Sequence, residues 1–152
     1  MGAMCKMIQA EQILLDISVA DKTECIKRLI SALEGSGALA DAGVLLDDVL
    51  TREKLSTTAL GSGCAVPHAH SDGVKRTVIA AARLETPVDF SAEDGESVKL
   101  VFLMAGPKQN TGLHLKVLSK LARLLHDSSI REELMKVQEP GAFYAQLCPE
   151  GG

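Results

Sequence analysis

Tryptophan is absent from the chain, and one tyrosine and three phenylalanines are its only aromatics. The core must therefore be built from aliphatic side chains. No basic run occurs and the formal net charge is -4, which disfavours a broad phosphate-backbone footprint, so nucleic acid is not expected as the main partner. No uninterrupted apolar segment approaches the length needed to cross a bilayer, and the N-terminus lacks the basic start and apolar run of a secretory leader, so no membrane insertion is expected. The four cysteines, Cys5, Cys25, Cys64 and Cys148, form no Cys-x-x-Cys pair. A chain of this length does not need staples, and four reduced thiols in a cytoplasmic compartment are expected. Neither G-x-x-x-x-G-K-[ST] nor G-x-G-x-x-G is present, so neither familiar nucleotide cradle is supported.

What is present has the composition of one globular domain: 152 residues, 46% hydrophobic and 24% charged. The expected domain spans 1–152, with its core over about 8–147. Met1-Gly2-Ala3 precede a second methionine and read as a cloning remnant, and 148–152 read as a frayed tail. Asp21 and Glu24 offer a helix start ahead of Ile26, Leu29, Ile30 and Leu33 at helical spacing, with Gly35 and Gly37 as the stop. A second helix is predicted from about Asp41 to Lys54, carrying Arg52 in its last turn. Thr77–Leu84 and Val98–Ala105 read as strands buried on both faces, joined by a polar connection over Pro87–Gly95. His114, Leu118, Leu121 and Leu125 mark a helical stripe. Ser128-Ser129 would cap a short helix through Met135, and Ala142–Leu147 would add a last turn or two. Helices alternating with buried strands predict an α/β fold, a central mixed β-sheet covered by helices on both faces.

One stretch concentrates unusual chemistry: Gly61-Ser62-Gly63-Cys64-Ala65-Val66-Pro67-His68-Ala69-His70. The glycines permit close backbone approach, which suits an anion or simply a tight turn. Three readings of the histidines stay open on these residues alone. One imidazole could accept a phosphoryl group, since near neutral pH much of it is unprotonated and its ring lone pair is free. Cys64, His68 and His70 could bind zinc, because alternation along an extended chain puts all three on one side. They could also be ordinary turn residues near the surface.

Three separated segments carry a family resemblance. Arg52 through His68, REKLSTTALGSGCAVPH, closely resembles the active-site signature of the fructose/mannitol-type IIA domains of the bacterial sugar phosphotransferase system, a signature shared by nitrogen-branch IIA proteins. Thr111–Leu125 is similar to the family's second motif, a histidine opening a leucine-rich helix, and Ala82–Phe90 with Val98–Leu103 is similar to its connecting strands. The resemblance covers about Ile8 to Leu147.

It implies that His68, directly after the proline, is phosphorylated, with His114 as the second active-site histidine and Arg52 as the active-site arginine. Thr58 takes the place of the motif's threonine, and the Thr58 hydroxyl with the Gly61 and Gly63 amides would bind phosphoryl oxygens. The implied function is a cytoplasmic phosphoryl carrier, a phosphotransferase component that takes its group from the phosphohistidine of HPr, or its nitrogen-branch equivalent, and passes it to a IIB domain in sugar uptake. The alternative is a nitrogen-branch regulator whose phosphorylation controls binding to transporters or kinases. No cofactor or metal is implied, and an exposed apolar rim around His68 is expected for docking. Ala59, Ala69 and His70 depart from the family, which usually places glycine, glycine and a permanent cation there.

Overall fold

The computed structural model describes residues 3–149. Both early helices start where their aspartates place them. In α1 (Lys22–Ser31) the Asp21 carboxylate accepts from the Glu24 amide at 2.9 Å, and Glu24 reaches back to accept from the Ala20 amide. In α2 (Ala42–Leu55) Asp41 accepts from Val44 N–H at 3.1 Å. These caps satisfy amides that have no partner within the first turn.

Six strands form one sheet: β1 (Ile13–Ile17), β2 (Ala59–Gly61), β3 (Cys64–Ala65), β4 (His68–His70), β5 (Val78–Val88) and β6 (Val98–Gly106), among the described residues. Their order is β1-β5-β6-β3-β2, with β4 also on β6. β5 and β6 are antiparallel, while β1 on β5 and both β3 and β4 on β6 are parallel. The sheet is thus mixed, as expected. β3 flanks Leu100 and Val101, β4 flanks Met104 to Gly106, and Pro67 stands between them with its carbonyl accepting from Met104 N–H at 3.0 Å. The histidine stretch is therefore laid along the C-terminal half of β6.

Period-two alternation splits the core into two layers. Val78, Ala80, Ala82, Val101 and Leu103 face α1 and α2. Ile79, Ala81, Leu100, Phe102 and Met104 face the other side, which is covered by α3 (Thr111–His126), α4 (Ser128–Lys136) and α5 (Pro140–Leu147). β5 runs on through Pro87 to Val88, beyond the expected end at Leu84, and Arg83 is buried within it. The Arg83 guanidinium pairs with Asp16 at 2.8 and 2.9 Å and donates to the Leu134 and Val137 carbonyls, tying β1 and the end of α4 to the sheet.

Several expectations are corrected. Cys5 and Cys148 are joined by a disulfide, so only Cys25 and Cys64 are free thiols, both buried. Their partnership arises because a 3-10 turn at Ala3–Lys6 packs beside the end of α5, where the Tyr144 hydroxyl donates to the Cys5 carbonyl at 3.0 Å. Ala3 therefore belongs to the folded chain, and Met4, Cys5 and Met7 extend the core upstream of residue 8. Cys148 is buried rather than frayed; Met1, Gly2 and 150–152 lie outside the described residues. Asp127, not Ser128-Ser129, caps α4, accepting from both the Ser129 and Ile130 amides. α5 begins at Pro140 because proline suits the first helical turn. β1 was not anticipated.

Candidate active site

His68 opens β4, where the parallel pairing with Met104 fixes its backbone. Its Nδ1 lies 2.8 Å from the Val66 carbonyl oxygen. A carbonyl can only accept, so Nδ1 carries the proton and Nε2 keeps its lone pair. The His68 pKa lies below its ordinary value, chiefly because half-burial penalises the charged ring; the Val66 hydrogen bond opposes this, and the Arg52 charge adds to it. The ring is thereby kept neutral and nucleophilic near neutral pH.

His114 sits in the first turn of α3, where its backbone N–H donates to the carbonyl of Asn110 at 3.0 Å. Its side chain is only 3% exposed, with the ring centroid 5.8 Å from that of His68 and 3.9 Å from that of His70. Burial first, then the neighbouring His70 and His68, lower its pKa to about 4. Arg52, near the end of α2, is steadied by donating to the Ser56 carbonyl at 3.1 Å. Arg52, His68, His70 and His114 line one open groove of about 620 Å³, together with Leu55 and Leu115. Those two leucines are 78% and 64% exposed, forming the expected apolar rim.

Thr58, Gly61 and Gly63 do not line this groove. The Thr58 hydroxyl is already spent, donating to the buried Glu53 carboxylate at 2.6 Å, while its amide donates to the other carboxylate oxygen at 3.1 Å. Thr58 therefore clamps α2 to the start of β2. Gly61 and Gly63 have φ of +90° and +79° around the β2–β3 turn, with the carbonyl of Gly63 taken by the Lys99 and Leu100 amides. Their freedom serves that turn rather than an anion at His68. The zinc arrangement also fails: no three His, Cys, Asp or Glu among the described residues are grouped to hold a metal. Cys64 points into the core layer with Ile79 and Phe102, and burial raises its thiol pKa to about 11, the reverse of what a thiolate ligand requires. His126 is exposed at the end of α3, remote from the groove.

Sequence reasoning missed Glu53 and left His70 without a role. A glutamate beside the motif arginine was the available signal for the first. The tilted ring contact of His70 with His114 joins residues far apart in the chain, so no local pattern announces it.

Two neutral imidazoles and a permanent cation around an open groove are groups suited to meeting a phosphoryl group. Residues 6–148 match the family described as "Phosphoenolpyruvate-dependent sugar phosphotransferase system, EIIA 2", and the chain belongs to that family. It is thus a IIA phosphoryl carrier of that system, and such domains are phosphotransferase components. The crystal structure of the nitrogen regulatory protein IIA-Ntr from Neisseria meningitidis shares 37% identity and a TM-score of 0.87, over 94% of this chain and 97% of that one. A fructose-specific EIIA component of Haloferax volcanii is 34% identical, over 84% of this chain and 83% of its own. The mannitol IIA of Escherichia coli, solved in complex with phosphorylated IIB, is 27% identical with a TM-score of 0.79, over 94% of this chain and 98% of that one. No helix among the described residues is long and apolar enough to cross a membrane.

Proposed function

We propose that His68 Nε2 accepts the phosphoryl group from the phosphohistidine of an HPr-type carrier protein and passes it to a IIB domain. The single observation that supports this most is the Nδ1 hydrogen bond to Val66, which leaves Nε2 as the ring's free lone pair. As the Nε2–P bond forms, the donor's N–P bond breaks and the donor imidazole leaves with the electron pair. Because the donor already carries an activated phosphoryl group, neither nucleotide nor metal is required. Arg52 offers a planar fork to the equatorial oxygens, and His114 offers a ring N–H in a site where burial strengthens hydrogen bonds. Leu55 and Leu115 flank the groove as an exposed apolar rim suited to a brief encounter with each partner.

The likeness to IIA-Ntr favours a second reading, in which the same phosphorylation governs binding to a regulatory target. Comparing transfer to a sugar-specific IIB with pull-down by the phosphorylated and free forms separates the two. The reading common to both is tested by incubating the protein with enzyme I, HPr and phosphoenolpyruvate and measuring intact mass. Wild type should gain one acid-labile phosphoryl group and His68→Ala none. A wild type that stays unmodified, or a His68→Ala that gains the group, refutes it.

A further inference from the structure

Four buried polar atoms have no hydrogen-bond partner among the described residues: His70 Nε2, Thr77 Oγ1, and Nδ1 and Nε2 of His114. They belong to one cluster. His70 pairs with Gly106 across β4 and β6, while Val78 pairs with Ala105 across β5 and β6, so Thr77 flanks Gly106 from the opposite side. Alternation places Thr77 on the face of Ile79 and Gly106 on the face of Met104, the face covered by α3. His114 descends onto this row from α3. A Cβ on Gly106 would stand 3.0 Å from Thr77 Oγ1 and 3.1 Å from His114 Nδ1. Any side chain at 106 would crowd both atoms, so the Thr77 hydroxyl and the His114 imidazole nitrogen converge beside the same bare glycine.

Each such group, buried and unpaired, has given up its hydrogen bonds to water without a replacement. A site with two of them turned to one point is built for a shared hydrogen bond, and one water is enough to bridge them. We propose that Thr77 is a positioning residue for His114, its hydroxyl donating toward Nδ1 through a bridging water beside Gly106. With Nδ1 held as an acceptor, the His114 proton resides on Nε2, and the tautomer of one ring nitrogen is set by the bond the other makes. His70, its ring tilted 36° against that of His114 at a centroid distance of 3.9 Å, backs the ring. The consequence for transfer rests on the phosphocarrier reading: a fixed Nε2–H is the donor a phosphoryl oxygen needs, and it costs no reorganisation at the moment of reaction.

The tautomer of His114 is read by long-range proton–nitrogen NMR on the unphosphorylated full chain, independently of any transfer assay. Wild type should carry the proton on Nε2; a proton on Nδ1 overturns the proposal without recourse to any variant. Thr77→Val, close in shape but lacking the hydroxyl, should mix the tautomers and slow phosphoryl gain about ten-fold, and Thr77→Ser should restore both. Gly106→Ala should mix the tautomers with the hydroxyl intact, and it serves in place of Thr77→Val should that variant not fold. An unchanged tautomer in either folded variant also overturns the proposal. If the tautomers respond as expected while wild type accepts no phosphoryl group, the Thr77 assignment stands and the phosphocarrier reading of the site falls.

Discussion

Lowering the pH from 7 to 5 should cost the protein about 2 kcal/mol of stability through His114 alone. Its folded-state pKa is lowered from 6.5 to about 4, by burial first and then by the charges of His70 and His68. In the unfolded chain the ring returns to its ordinary value near 6.5. As the pH falls below that value, the unfolded chain takes up a proton that the native site refuses, so unfolding gains; the loss levels off only below about 4. The full difference is about 3 kcal/mol, and the larger part of it falls above pH 5. His114 is almost fully buried, so solvent screening does little to reduce this. The His68 shift has the same sign, and His114→Leu separates the two because it keeps the His68 ring and removes only the buried one. Urea unfolding of both proteins at steps from pH 7 to 5, with equal m-values as a check, should show a gap that closes by about 2 kcal/mol in favour of the variant. Parallel curves for the two proteins would refute the claim that His114 is held neutral by its site.

Arg52→Lys should slow phosphoryl gain at least about ten-fold at unchanged fold stability, because a point charge cannot reproduce a two-pronged contact; stopped-flow transfer from phospho-HPr checks this, and an unchanged rate removes Arg52 from the site. The Cys5–Cys148 disulfide closes a segment of 143 residues in sequence separation. Chain entropy sets a ceiling of about 5 kcal/mol on its contribution, with about 2–4 kcal/mol typical. Reduction, or Cys5→Ser, should lower the urea midpoint accordingly, and an unmoved midpoint would show that the bridge adds nothing.

The elements legible in the sequence are those fixed by neighbours. Asp21 and Asp41 announce their helices because a cap acts within one turn, and β5 and β6 announce themselves because burial on both faces leaves continuous apolar runs. β1 escaped because Ile13-Leu14-Leu15-Asp16-Ile17 shows no clean alternation, and what makes it a strand is a parallel partner at Ala81 and Ala82. Asp127 prevailed over Ser128 as the α4 cap by offering one carboxylate oxygen to two amides. The same locality rule governs the site. His68, His114 and Arg52 were found through motifs, and the structure brings them to one groove. Thr58, Gly61 and Gly63 belong to the same motif, yet serve its architecture: one holds Glu53, the others shape a turn.

Two of the departures from the family pattern, Ala59 and Ala69, have a common physical explanation. Neither Ala59 nor Ala69 has a positive φ, so no glycine is demanded at either position. Ala69 turns its methyl into the α1–α2 side of the core, while its neighbours His68 and His70 turn to the opposite face. A small side chain at 69 is thus tolerated and even packed. His70 is the departure with consequences for charge. The family usually places a permanent cation there, and in this chain Arg52 is the one permanent cation among the residues lining the groove. A phosphoryl group on His68 would bring about two negative charges to a site with a single fixed positive one. More of the oxygen contacts then fall to neutral donors, above all to a His114 whose proton is held in place. Orientation of that ring therefore matters more in this protein than it would beside a lysine or arginine, which is why the hydroxyl of Thr77 and the lack of a side chain at Gly106 carry weight here.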